Sequence, residues 1–350
     1  QDCSGIADDH RVQLRPWELV EQPFGYSTPV SGDLRGLGRT DLALASYQML
    51  IVMLHNDGAG GIDGSTQIGG PGNVLSLLGG DFDGDGDPDL LAPLATGCPL
   101  STYLNNGAGA FSVAADVACE LTPSWGAVAD LDGSGTADPV LVDPGAGTFQ
   151  VLLGQTGLAF DALEVVSPTM GAFEVQIADF DGDARPDLVL SGNTGGVAAM
   201  MGDGAGGFTE AAVIGTGWSL EIGFAGDLDG DGLDDLLAVL ADGDLMTALS
   251  EGDGNFGLPE RHELPLPGLY AAVTDVTADG WDDVVVCADD GLSMLLNDGA
   301  GGLDESLLMA HDLGGACRPT PVDLDGDGVD ELLVSAPAAL GWYLLRTCPP

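Results

Sequence analysis

Residues 81–91 read DFDGDGDPDLL: Asp81, Asp83, Asp85, Asp87 and Asp89 at every second position, glycines at 84 and 86, then two leucines. Five carboxylates within nine residues repel one another strongly unless something positive sits among them. Alternating acids with intervening glycines suit Ca²⁺, a hard cation that takes six to eight oxygens at about 2.3–2.6 Å. Numbered from the first Asp, positions 1, 3, 5 and 9 offer side-chain oxygens and position 7 its backbone carbonyl. In this stretch the ligands are therefore Asp81, Asp83, Asp85, the Asp87 carbonyl and Asp89.

The stretch is one of seven. The others are DLRGLGRTD at Asp33, DLDGSGTAD at Asp130, DFDGDARPD at Asp179, DLDGDGLDD at Asp227, DVTADGWDD at Asp275 and DLDGDGVDE at Asp323. Successive copies start 48 or 49 residues apart. A fixed period of this size marks a repeat architecture and overrides a domain count taken from length. Each motif runs into a strand-length apolar segment, such as DLLAVL from Asp235 or DVVVCA from Asp283. Gly-rich turns follow, among them NDGAGGI at Asn56, NNGAGAF at Asn105 and NDGAGGL at Asn297. Each repeat thus reads as four antiparallel strands, with the acidic loop between the first two. The expectation is one all-β domain over 1–350, a seven-bladed β-propeller of four-stranded antiparallel blades.

The seventh repeat is one strand short. The N-terminal segment, with its alternating VQLRPWELV from Val12, is expected to complete blade seven and close the ring. Six Cys without zinc spacing predict three disulfides in an oxidising compartment. The strand map pairs Cys98 with Cys119 and Cys287 with Cys317, on the face away from the acidic loops. Cys3 and Cys348 would lock the ring.

An EF-hand shares the early spacing but needs Glu at position 12 and a following helix. Position 12 here is Ala92, Ala238 or Val334, inside strand-like runs, so that reading fails. D-x-D-G-D-G-x-x-D, an apolar strand and an NDGAGGF-type turn at this period resemble the FG-GAP/VCBS repeat family, and the propeller head of integrin α-subunits is similar. The resemblance covers residues 11–350. It implies Ca²⁺ in the loop between the first two strands of a blade and ligand recognition on the opposite face.

Carried over residue by residue, blade five offers Asp227, Asp229, Asp231, Leu233 and Asp235, and blade seven Asp323, Asp325, Asp327, Val329 and Glu331. Blade four offers Asp179, Asp181, Asp183, Arg185 and Asp187, with Ala184 where the others have Gly. Hydroxyls enter in blade three (Asp130, Asp132, Ser134, Thr136, Asp138) and blade six (Asp275, Thr277, Asp279, Trp281, Asp283), which are expected to hold metal more weakly. In blade one Arg35 and Leu37 replace two ligands. No ion is expected there, with the Arg35 guanidinium standing between Asp33 and Asp41. Six Ca²⁺ ions are expected in blades two to seven, as structural ions whose binding adds to folding stability.

Composition points the same way. Asp plus Glu number 56 against eight Arg and no Lys, a formal net charge of −48. Six calcium ions would leave it strongly negative. Such a field repels nucleic acid and anionic lipid and attracts cations. No apolar run is long enough to span a bilayer as a helix. Gln1 reads as a processed terminus. A secreted or cell-surface protein, bacterial and monomeric, is expected.

GDGAGG at Gly202 satisfies a dinucleotide pattern, but it recurs before strands and reads as a hairpin turn. The four His are scattered, with no HExxH or GxSxG. Aromatics precede several inner strands: Tyr26, Trp125, Phe173 and Tyr270, with Arg318 in the matching place of blade seven. They are expected around the channel on the face away from the acidic loops, either as inner-strand packing or as contacts to a sugar or peptide. The expected function is a non-catalytic binding or adhesion module for a protein or glycan. The alternatives are a polysaccharide-acting enzyme and a purely structural surface protein.

Overall fold

The computed structural model describes residues 15–16, 20–21, 29–46, 50–70, 72, 74–95, 97–192, 194–214, 220–277, 279–288, 291–310, 317–336 and 341–346. Tyr26 and the Cys3–Cys348 pairing lie outside these residues.

Among the described residues there is no helix, and seven antiparallel sheets of four or five strands follow one another along the chain, with a two-stranded ribbon, Ser250–Gly252 and Asn255–Phe256, beside the fifth. Blade three is typical. Trp125–Ala129 is innermost, then Asp138–Asp143, Thr148–Gln155 and the outermost Ala159–Ala162. The other innermost strands are Val30–Gly32, Leu78–Gly80, Glu174–Ala178, Leu220–Gly226, Gly268–Thr274 and Arg318–Val322. In blade seven, Gly341–Arg346 has two short N-terminal neighbours: Arg15 and Pro16 pair with Arg346 and Leu345, and Val20 and Glu21 with Trp342 and Gly341. The N-terminal segment therefore stands where the sequence leaves a strand missing.

The second strands explain the core. Successive side chains point to opposite faces of a sheet, and here both faces are covered by neighbouring blades. Past the leading acid their residues are accordingly mostly apolar, and Asp138–Asp143, Asp235–Leu240 and Asp283–Ala288 are buried along their whole length. In blade one Ala43 and Ala45 pack toward blade two, beside Leu90 and Tyr103. Leu42 and Leu44 pack the other way, on Val322, Leu324 and Leu333 of blade seven. One buried cluster lies between each consecutive pair of blades, and the seventh sheet packs on the first. The outermost strands are wet, with Ser112–Val113 fully exposed.

Two predicted disulfides are present. Cys98 and Cys119 are joined with their Cα atoms 5.6 Å apart, and Cys287 and Cys317 at 5.9 Å. The first lies within blade two and the second ties blade six to blade seven, both at the end away from the acidic loops.

Candidate metal centres and the channel mouth

Each acidic loop wraps its own backbone around position 1. Asp81 accepts the amides of Gly84 (2.8 Å), Asp85 (3.1 Å) and Gly86 (2.9 Å). Such a wrap turns the chain through left-handed conformations, with φ of 80° at Gly84 and 92° at Gly86, which glycine adopts without a Cβ clash. The pattern recurs at Asp179, Asp227 and Asp323. Blade four forces Ala184 into the same conformation, at φ 62°.

Position 9 has a second task. Asp89 is fully buried; it accepts the amide of Phe82 (3.2 Å) in its own loop and of Asn105 (2.8 Å) in the Gly-rich turn. Asp138, Asp187, Asp235 and Asp283 repeat both bonds. Burial raises their proton affinity despite these amides: Asp89 and Asp235 are pushed up to about 7, Asp187 and Asp283 to about 6. A cation among the neighbouring carboxylates would favour the charged form.

The turn residue passes the connection onward. Asn105 Nδ2 donates to the Leu34 carbonyl of blade one (2.9 Å), and Asn297 Nδ2 to the Leu228 carbonyl of blade five (2.7 Å). Asn56 reaches Leu324 of blade seven, and Ser250 Oγ the Phe180 carbonyl of blade four (2.8 Å). Each of these acceptors is position 2 of the preceding blade's acidic loop. Loop, buried carboxylate, turn and next loop thus form a relay from blade to blade. Sequence reading places the Asn in a turn but does not reveal this latch, because its partner lies in another blade.

Ligand oxygens converge as follows. In blades two and seven, oxygens of Asp81, Asp83 and Asp85, and of Asp323, Asp325 and Asp327, lie within 4.8 Å of one another. Blades three, four and five assemble Asp130, Asp132 and Asp138; Asp179, Asp181 and Asp187; and Asp227, Asp229 and Asp235. Every donor is oxygen, the chemistry of a hard cation and not of zinc or copper. The residues fit such an ion.

Three loops differ from expectation in detail. In blade four Asp183 pairs with Arg185, and the converging set is Asp179, Asp181 and Asp187. In blade one Arg35 grips the fully buried Asp41 (2.8 Å) and the Asn56 carbonyl (2.7 Å). Asp33 is instead held by the amides of Leu37 and Gly38, so the guanidinium pairs with one carboxylate and does not bridge two. Blade six has no converging group of three acids among the described residues; Thr277 stands at position 3 with its hydroxyl on Asp275 (3.3 Å). Trp281, at position 7, covers Gly230 of blade five's loop and Gly299 of its own turn, where any side chain would strike its ring.

At the opposite end, all seven innermost strands line one central cavity of about 510 Å³. Trp125, Tyr270 and Arg318 meet there. The Arg318 guanidinium lies over both rings, 4.2 Å from each centroid. It also forms a two-pronged ion pair with Glu174, at 2.9 and 3.4 Å. Phe173, beside Glu174, is partly exposed. Glu174 is the residue that sequence reading missed. The signal is its register: Trp125, Glu174, Tyr270 and Arg318 each stand five residues before the first Asp of their loop.

Three stretches, residues 33–92, 179–238 and 275–334, match the family model of an FG-GAP-like repeat, just over half of the chain. Among solved structures, an Agrocybe aegerita lectin described as specifically recognising non-reducing terminal N-acetylglucosamine superposes with a TM-score of 0.61 at 19% identity, over 93% of this chain and 90% of that one. BBS1N in complex with ARL6DN superposes with a TM-score of 0.67 at 11% identity, over 97% and 98%. At these identities the likeness is one of fold. Among curated proteins there is no match.

Proposed function

This chain belongs to the FG-GAP-like repeat family, and on that premise we propose that it is a secreted, calcium-stabilised, non-catalytic module that binds a protein or glycan through the face away from its acidic loops. The observation that carries this reading is a division of labour between the two ends of the sheets. At one end the carboxylates are committed to their own backbone, to the neighbouring turns and to the converging oxygen sets. At the other end the residues that line the channel differ from blade to blade, among them Leu77, Trp125, Glu174, Phe224, Tyr270 and Arg318. Differing positions on a rigid ring suit one asymmetric ligand better than seven identical sites.

Asp81, Asp83, Asp85 and Asp89, with their counterparts in blades three to seven, would hold Ca²⁺. The ion supplies the positive charge that lets these acids lie together; the surrounding amides and glycines orient them before it arrives. Two disulfides accord with an oxidising, extracytoplasmic compartment. The described histidines serve the sheets, His55 bonded to Thr66 and His262 to Thr247. The lectin of like fold makes a glycan the first ligand to test. A glycan array probed with labelled protein in calcium buffer is expected to show selective binding that EDTA abolishes. Turnover of a polysaccharide by the purified chain would contradict the non-catalytic reading, and a blank array would contradict the glycan branch and leave the protein one.

A further inference from the structure

Four residues from four different blades converge at the channel mouth, and their chemistry is that of a recognition site. Trp125 comes from blade three, Glu174 from blade four, Tyr270 from blade six and Arg318 from blade seven. Two aromatic faces with a carboxylate at their edge form a cage for a planar cation. The ring quadrupoles attract the positive charge, and the carboxylate takes two N–H groups in parallel. Guanidinium suits this arrangement better than a compact ammonium, since it is flat, stacks on rings and offers a rigid fork.

We propose that the channel mouth is a guanidinium-binding site that the chain fills with its own Arg318. The occupant acts as a clasp. Its side chain and that of Glu174 are only 13% and 7% exposed, so the pair is withdrawn from water and depends on its mutual contacts. Blades three, four, six and seven are not all neighbours, so the clasp ties the ring across its centre, where the inter-blade clusters cannot reach. It also closes the channel to charged ligands. An anion pairing with Arg318 would strand Glu174 in a buried position, and a cation must compete with a tethered rival. One face of each ring is taken by the guanidinium, which moves the proposed ligand toward the rim of the channel.

The test is chemical rescue. Arg318→Ala empties the cage while leaving Trp125, Tyr270 and Glu174 in place. Its melting temperature in calcium buffer is expected to fall by roughly 5 °C or more, as for a buried ion pair that loses one partner. Millimolar methylguanidinium is expected to restore much of that loss in a saturable manner. Neutral N-methylurea and equal NaCl are expected to do nothing, and Trp125→Ala in the same background to abolish the rescue. A variant that melts like the parent, rescue that fails, or rescue that N-methylurea matches would overturn the proposal. Should Arg318→Ala not fold, Arg318→Lys decides: its ammonium keeps the charge but loses the fork and the flat contact. A melting temperature several degrees below the parent supports the cage, and one within a degree of it overturns the proposal.

Discussion

Ala184 adopts, in blade four, the left-handed backbone that glycine supplies at position 6 of every other loop. An alanine there bears a clash between its Cβ and the following carbonyl, worth about 1–2 kcal/mol. Ala184→Gly is therefore expected to raise stability by about 1 kcal/mol after the entropic cost of glycine, measurable as a higher urea midpoint with an unchanged slope. Arg35 carries a larger stake. Its partner Asp41 is wholly buried, so Arg35→Met leaves an anion with no cation beside it and is expected to cost about 3–5 kcal/mol. The double change with Asp41→Asn should recover much of that loss in the same unfolding series. Failure to recover it would mean that the cost comes from packing and not from the stranded charge.

At the scale of the element, the loop and the Gly-rich turn act as one unit through the buried carboxylate between them. Asn297→Ala removes the side-chain donor to the Leu228 and Asp282 carbonyls while the Gly301 amide still reaches Leu228, and about 1 kcal/mol should be lost. An exposed outer-strand change such as Val113→Ala should stay within about 0.5 kcal/mol. Blade one allows a gain-of-site test: Arg35→Asp with Leu37→Asp rebuilds the pattern of blade two and should add one calcium to the stoichiometry found by equilibrium dialysis. Strand order, the acidic loops and two disulfides were legible in the sequence because each depends on spacing along the chain. DFDGDGDPDLL repeats six times in altered form, and the period alone places every loop. The Asn105 and Asn297 latches, the Asp183–Arg185 pair and the part played by Glu174 were not legible. The latches and Glu174 depend on which side chain faces which across blades, and a single chain's periodicity does not encode that. Arg185 is two residues from Asp183, yet nothing in the pattern says that it turns back upon its own loop.

Across the whole molecule, seven similar sheets share their cores in pairs, so no blade buries both faces alone. A net charge of −48 favours expansion, and cations bound at the acidic ends would relieve it. Calcium in the acidic loops is proposed to hold this ring together. The direct measurement is thermal unfolding followed by calorimetry at stepped free calcium, with EDTA as the zero point. Each tenfold rise in free ion above its dissociation constant adds about 1.4 kcal/mol per site. The melting temperature is expected to climb steeply with calcium, by more than a single site could produce, and to collapse in EDTA. A transition at the same temperature in EDTA and in millimolar calcium would contradict it.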